Sequence, residues 1–162
     1  QKSDRNAMKL KWYLRTASII IIIDQITKFF AYRSFNAPKI DEPAYPSPVL
    51  SFCSTINRGL SWGMLHSENK IAFVAISTII FLVIGAIMLY TLIRHNNGYS
   101  IWGESCIIAG AISNFADRIW YGGVVDFILL SYNGWSWPAF NIADVAIVTG
   151  VLIMLGTHQW KQ

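Results

Sequence analysis

Four long apolar runs, separated by polar stretches, dominate the pattern of hydrophobic positions along this chain. About 20 apolar residues in a helix span the roughly 30 Å hydrocarbon core of a bilayer, so each run predicts a transmembrane helix. The predicted helices cover residues 12–32, 71–92, 99–120 and 141–156, of which the last is the shortest. The pattern therefore predicts an all-α membrane protein with four transmembrane helices.

The composition supports this class. Hydrophobic residues make up 54% of the 162 residues and charged residues only 14%, whereas about a quarter of a soluble domain is charged. The length suits one domain. Residues 1–7 have the character of an expression-tag remnant, so we expect a single integral membrane domain over residues 8–162.

Basic residues near the helix ends predict the orientation of the chain in the membrane. They precede the first helix, follow the second and follow the fourth, at Lys9, Lys11, Arg15, Arg94 and Lys161. Because Lys and Arg in short flanks stay on the cytoplasmic side, both termini are predicted to lie inside. Residues 33–70 and 121–140 then form two outer loops.

Both outer loops carry strand or turn signals. In the first loop, prolines interrupt any helix and Val49–Ile56 is typical of a strand, which predicts a small β-rich cap. Ser67 is expected to cap the second helix. In the second loop, the Asn-Gly pair at 133–134 predicts a β-hairpin with a type I′ turn. That register places Asp126 opposite Asn141, and the proline at 138 limits the second arm to a sheet edge.

Polar side chains gather at one predicted depth, near the outer ends of three helices. They come from distant parts of the chain: Asp24, Lys28, Asn114, Asp117, Arg118, Asn141 and Asp144, with Asp126 in the outer hairpin. Ionisable groups at this depth carry a high free-energy cost of burial, and by default they mark a functional site. Asp24 and Lys28, spaced i, i+4, share one helix face, which fits a simple ion pair as well as a direct role in the site.

The Asp126 and Asp144 carboxyls are the candidates for chemistry. Two carboxylates held close together share a proton, and such a pair supplies both a base for water and an acid for a carbonyl oxygen. Neither aspartate has a Lys or Arg within four residues. The alternative is that both are solvated interfacial charges or helix caps.

Other chemistries fit the sequence less well. Residues 59–63 match the G-x-S-x-G pattern around Ser61, but that motif belongs to a strand-turn-helix with a downstream histidine, and only His66 is near. No H-E-x-x-H motif is present, and the two cysteines indicate neither a disulfide framework nor a zinc site. No basic block with interleaved aromatics indicates nucleic-acid binding.

From about Lys9 to its C-terminus the chain resembles the bacterial lipoprotein signal peptidases, also called signal peptidase II. Five blocks carry the resemblance: D-Q-x-x-K at 24–28, N-x-G-x-S-W-G at 57–63, G-x-x-x-N-x-x-D-R at 110–118, V-x-D-F at 124–127 and F-N-x-A-D at 140–144. One departure is Ser113, where the family usually has Gly, and it bears on helix packing more than on chemistry.

The resemblance implies an aspartyl endopeptidase of the bacterial inner membrane, without metal or cofactor. It implies that Asp126 and Asp144 are catalytic. The matching substrate-binding or site-bracing positions are Asp24, Lys28, Asn57, Gly59, Gly110, Asn114, Asp117, Arg118, Val124, Phe140, Asn141 and Ala143. The implied substrate is a prolipoprotein whose lipobox Cys carries a diacylglyceryl group, cleaved just before that Cys.

The implied partners are this substrate, membrane lipid and globomycin-type lipopeptide inhibitors, and a monomer is expected. The first outer loop, with Trp62 and Met64, is expected to cover the substrate. The competing interpretation is a small non-enzymatic membrane protein, such as a channel or assembly factor, whose polar cluster binds an ion or a partner.

Overall fold

The computed structural model describes residues 2–34, 49–59 and 69–157, and it contains the four predicted helices. They are α1 (Lys2–Ser34), α2 (Lys70–Asn96), α3 (Trp102–Trp120) and α4 (Ile142–Thr157). The existence of each helix is confirmed, whereas the predicted ends were approximate. Most notably, α1 begins at Lys2, so residues expected to be a tag remnant continue the first helix.

The predicted cap of the second helix is wrong. The N-cap of α2 is Asn69, whose side-chain oxygen accepts a hydrogen bond from the Ile71 backbone N–H at 2.8 Å. Asn is as good an N-cap as Ser, and the helix begins two residues later than a Ser67 cap would require.

A three-stranded antiparallel sheet lies beside the helices. Its strands are β1 (Leu50–Asn57), β2 (Val124–Tyr132) and β3 (Trp135–Ser136), in the order β1-β2-β3. The strand predicted in the first outer loop is confirmed as β1. The small β-rich part is formed by both outer loops together, because β1 pairs with β2 of the second loop. Trp62 and Met64, expected to cover the substrate, lie outside the described residues.

The predicted hairpin between β2 and β3 is confirmed. Asn133 and Gly134 both have positive φ, 49° and 79°, as a type I′ turn requires, and Tyr132 pairs with Trp135. β3 has only two residues, in keeping with the proline that follows. Further along, the Phe140 carbonyl accepts from the N–H groups of both Phe127 and Ile128, which is the pattern of a β-bulge. The bulge leads the chain into α4 with Asn141 beside Asp126.

Glycines let α3 and α4 approach closely. A Cβ atom on Gly110 would lie 2.4 Å from the Ala143 carbonyl oxygen, and one on Gly103 would lie 2.5 Å from that of Gly150. Real Cβ atoms do not come so near, so only glycine permits this helix spacing. The contact at Gly110 also sets the position of the first turn of α4, where Asp144 lies.

The outer surfaces of the helices are apolar. α2 is long and apolar enough to cross a membrane, with a mean hydropathy of 2.8 and only 6% of an 18-residue stretch buried. Among the described residues it alone passes that test, and α4 is apolar but shorter. Ile79, Leu82 and Leu152 are each at least 60% exposed. Continuous exposed apolar surface of this kind suits contact with lipid, while four complete spans remain a prediction.

Candidate active site

The first turn of α4 places Asp144 through a reciprocal capping arrangement. The Asn141 side-chain oxygen accepts from the Asp144 N–H at 2.9 Å, and Asp144 Oδ2 accepts from the Asn141 N–H at 3.3 Å. This is a capping box with Asn and Asp in its two positions. The helix-cap interpretation of Asp144 therefore holds in part. Its Oδ1 points elsewhere and accepts from Asn114 Nδ2 at 2.9 Å.

Asp126 projects from β2 and is 3% exposed. Asn141 Nδ2 donates to its Oδ1 at 2.7 Å, and Asn57 Nδ2 donates to its Oδ2 at 3.1 Å. Asp126 and Asn141 therefore meet as predicted, but through their side chains, because the bulge shifts the backbone pairing by one residue so that Ile128 pairs with Phe140. Burial and the nearby Asp144 carboxylate raise the pKa of Asp126 to about 7, against the effect of the two amide donors, which favour the ionised form.

Asp126 and Asp144 line one cavity of about 140 Å³ between the sheet and the helices. That is well above the roughly 10–15 Å³ that one water molecule needs. The other lining residues are Asn57, Ile80, Ala111, Asn114, Arg118, Val124 and Ile147. The cavity therefore offers two carboxyls and several amide or guanidinium donors to water or a small part of a substrate.

Lys28 lies at the centre of a buried charge cluster beneath this cavity. Its Nζ is 2.7 Å from Asp24 Oδ2 and 2.8 Å from Asp117 Oδ2, and it donates to Asn114 Oδ1 at 2.7 Å. The Asp24–Lys28 ion pair is confirmed, and Asp117 of α3 also pairs with Lys28 of α1. Asn114 joins this cluster to Asp144, because its oxygen faces Lys28 and its nitrogen faces the carboxylate.

Asp117 and Arg118 also connect α3 to the sheet. Asp117 Oδ2 accepts from the Val125 N–H at 3.2 Å at the start of β2. Arg118 donates to the carbonyl of Gly59, just after β1, and Gly59 N–H donates in turn to Asn57 Oδ1 at 2.9 Å. These bonds hold the two strands that carry Asn57 and Asp126 against the helix.

The remaining predicted positions act through the backbone or through packing. Ala143 donates its N–H to Asp24 Oδ1 at 2.8 Å, Phe140 supplies the bulge carbonyl and Val124 lines the cavity. The structure thus brings the predicted residues into one region, as their common depth indicated. Ser61 and His66 of the serine alternative lie outside the described residues.

Sequence reasoning missed two polar residues in the cluster. Gln25 Nε2 donates to Asp117 Oδ1 at 2.8 Å and to Ser113 Oγ at 2.9 Å. Gln25 lies inside the D-Q-x-x-K block, so its position next to Asp24 was the available signal. Ser113 was interpreted only as a packing change. A second buried ion pair, Arg94 Nε to Glu104 Oε1 at 2.7 Å, was also not predicted.

The family comparison agrees with the resemblance in the sequence. A family model described as "Signal peptidase (SPase) II" matches residues 16–159. A lipoprotein signal peptidase of Thermodesulfovibrio yellowstonii is 37% identical over 150 residues, covering 91% of this chain and 96% of the relative. One of Staphylococcus haemolyticus is 34% identical over 152 residues, with 91% and 93% covered.

Solved structures show the same fold. A bacterial membrane enzyme determined by the in meso method at 2.3 Å resolution superposes with a TM-score of 0.68 at 26% identity, covering 94% of this chain and 93% of the other. A second such structure, at 1.9 Å resolution, gives 0.67 at 27% identity, with 94% and 95% covered.

Proposed function

The chain belongs to the signal peptidase (SPase) II family, and from this premise we propose that it is an intramembrane aspartyl endopeptidase with Asp126 and Asp144 as its catalytic pair. Its substrate is a diacylglyceryl-modified prolipoprotein, which it cleaves just before the lipidated Cys. The observation that carries the assignment is the single cavity lined by both carboxyls.

The reaction needs one proton shared by the two carboxyls. The ionised carboxyl accepts a proton from water while the oxygen of that water attacks the scissile carbonyl carbon. The protonated carboxyl donates to the carbonyl oxygen, which gives a neutral tetrahedral diol. The diol then collapses: one of its hydroxyls returns a proton to the ionised carboxyl, the C–N bond breaks, and the leaving nitrogen takes up the proton of the other carboxyl. The pair ends with one shared proton, as it began. The raised pKa of Asp126 supports a singly protonated pair near neutral pH.

The donors around the cavity fit this chemistry. Asn57 and Asn141 each donate a hydrogen bond to one oxygen of the Asp126 carboxyl, and Asn114 donates one to the Asp144 carboxyl. Each carboxyl is therefore fixed in direction before substrate arrives, which lowers the cost of reaching the transition state. Arg118 also lines the cavity.

We place the cavity at the outer surface of the bacterial inner membrane, with all four helices spanning the bilayer and both termini inside. A substrate with two acyl chains is best met at the bilayer surface, and the lipid-facing apolar helices support this placement. A monomer suffices, because one chain supplies both carboxyls.

Reporter fusions test this topology. Fusions after Lys70 and near Asn133 are expected to report an outer location, and fusions at Asn97 and at the C-terminus a cytoplasmic one, as the Lys and Arg distribution requires. A cytoplasmic signal at Asn133 would overturn the placement of the cavity at the outer surface.

The activity itself is tested with purified protein in lipid and a prolipoprotein that carries the diacylglyceryl group. We expect release of the signal peptide, no release from the unlipidated precursor, and inhibition by a globomycin-type lipopeptide. Ser61→Ala is the control for the serine alternative and should retain substantial turnover. Absence of any cleavage by the folded parent protein would favour the non-enzymatic interpretation.

The rate of cleavage should fall as pH rises through about 7, the pKa of Asp126, because the pair then loses its shared proton. Asn57→Ala should move this alkaline limb to higher pH. The lost donor favoured the ionised carboxylate, so the pKa of Asp126 rises without it. One hydrogen bond to a charged group corresponds to a shift of about one pH unit. The measurement is the pH profile of single-turnover cleavage.

Thr55→Val is the matched control for this profile. The Thr55 hydroxyl donates to the backbone carbonyl of Asp126 at 3.4 Å and does not bond its carboxylate. The alkaline limb of the Thr55→Val profile should lie at the same pH as that of the parent protein. If Asn57→Ala leaves the limb unmoved or shifts it to lower pH, Asp126 is not the group that titrates in catalysis.

A further inference from the structure

We infer that Ser113 is a positioning residue, whose hydroxyl joins Gln25 to Asp24 and thereby holds the first turn of α4, which carries Asp144. The inference rests on the proposed peptidase function. It assigns a role to a position where this chain departs from the usual family pattern.

The hydrogen bonds of Ser113 have a defined direction. The side chain is completely buried, its Oγ donates to Asp24 Oδ2 at 2.7 Å, and Gln25 Nε2 donates to that Oγ at 2.9 Å. An ionised carboxylate only accepts and an amide nitrogen only donates, so the hydroxyl proton points to Asp24. The Ser113 hydroxyl thus links the Gln25 amide to the Asp24 carboxylate and restrains the orientation of that carboxylate.

Asp24 in turn holds α4. Its Oδ1 accepts from the Ala143 N–H at 2.8 Å, in the first turn of that helix. A carboxylate at this end of a helix satisfies a free N–H group and interacts favourably with the helix dipole. Because Ala143 directly precedes Asp144, the orientation of the Asp24 carboxylate fixes the backbone next to the catalytic residue.

Ser113 itself does not line the cavity. A role in positioning therefore predicts a lower rate with unchanged substrate affinity. A role in packing alone predicts that Ser113→Ala, which keeps Cβ and removes only the hydroxyl, behaves as the parent protein. Removing the single hydroxyl oxygen of Ser113 therefore distinguishes the positioning role from a packing role.

The test compares Ser113→Ala with Ser105→Ala. Ser105 lies on the same helix, is also buried, and donates its hydroxyl to the Ile101 carbonyl at 2.8 Å, away from the catalytic cavity. Two measurements are made on each purified variant in lipid: kcat and KM for lipidated prolipoprotein, and hydrogen exchange of the backbone amides of residues 142–145. Ser113→Gly serves as a second variant if Ser113→Ala folds poorly.

We expect Ser113→Ala to lower kcat roughly tenfold, about the factor for part of one charged hydrogen bond, with KM unchanged. Exchange at 142–145 should accelerate by a similar factor, and Ser105→Ala should change neither. The exchange result needs no activity, so it supports or overturns the positioning role even if the parent does not cleave. Unchanged exchange in Ser113→Ala, or equal effects in both variants, would overturn it.

Discussion

Asp126→Asn and Asp144→Asn are each expected to abolish turnover while leaving the protein folded. Either change removes the shared proton or the base that activates water, which costs several orders of magnitude in rate. Asn has the size and shape of Asp but only one acceptor oxygen, so one of the two N–H donors that bond each carboxyl loses its acceptor. The cavity should keep its shape at a moderate cost in stability. Single-turnover cleavage of lipidated prolipoprotein is the measurement.

Thermal melts and binding of a globomycin-type lipopeptide are the controls for these two variants. The lipopeptide should still bind, and the melting temperature should fall only moderately. Asp144→Asn requires particular care, because Asp144 Oδ2 also accepts the Asn141 N–H in the capping box. The Asn side chain keeps one oxygen for that bond, but its NH2 group then faces the Asn114 amide nitrogen, so a moderate loss of stability is expected. A folded variant that cleaves within about tenfold of the parent would refute the assignment of the pair.

Much of the catalytic region could be predicted from the sequence because charges in apolar segments are rare and expensive. Lys28, Asp117 and Asp144 lie in three different helices, and their common depth indicated that they meet. The Asn-Gly turn at 133–134 predicted the hairpin and the pairs next to the turn. The bulge at Phe140 was not predicted, and Asp126 meets Asn141 through a side-chain hydrogen bond. Each signal has a direct physical cause: the cost of burying charge in an apolar segment, and the positive φ angles of an Asn-Gly turn.

The parts that were not predicted depend on long-range pairing or on neutral polar residues. Nothing in β1 specifies β2 as its partner, since strand signals give a conformation and not a neighbour. Gln25 and Ser113 carry no charge, and a neutral polar residue in a membrane helix can serve helix packing as well as a functional site. Their roles follow only from distances in the folded chain.

The buried position of Lys28 leads to the second large expected effect, on stability. Lys28→Met removes the cation that lies against Asp24 and Asp117, whose side chains are both fully buried. Breaking a buried ion pair by removing one partner costs about 3–5 kcal/mol. For a chain of this size that is a drop of roughly 6–20 °C in melting temperature. Cleavage should fall as well, since Asn114 loses the contact that orients it toward Asp144.

Two further variants show whether the loss comes from uncompensated charge. Lys28→Met combined with Asp117→Asn removes one of the two stranded carboxylates and should recover part of the melting temperature, because Asp24 keeps its bonds from Ser113 and Ala143. Lys11→Met, at an exposed position of the same helix, should melt as the parent does. If Lys28→Met melts within about 2 °C of the parent, which is under about 1 kcal/mol, the cluster is not held together by its charges. The link from Lys28 through Asn114 to Asp144 would then lose its physical basis.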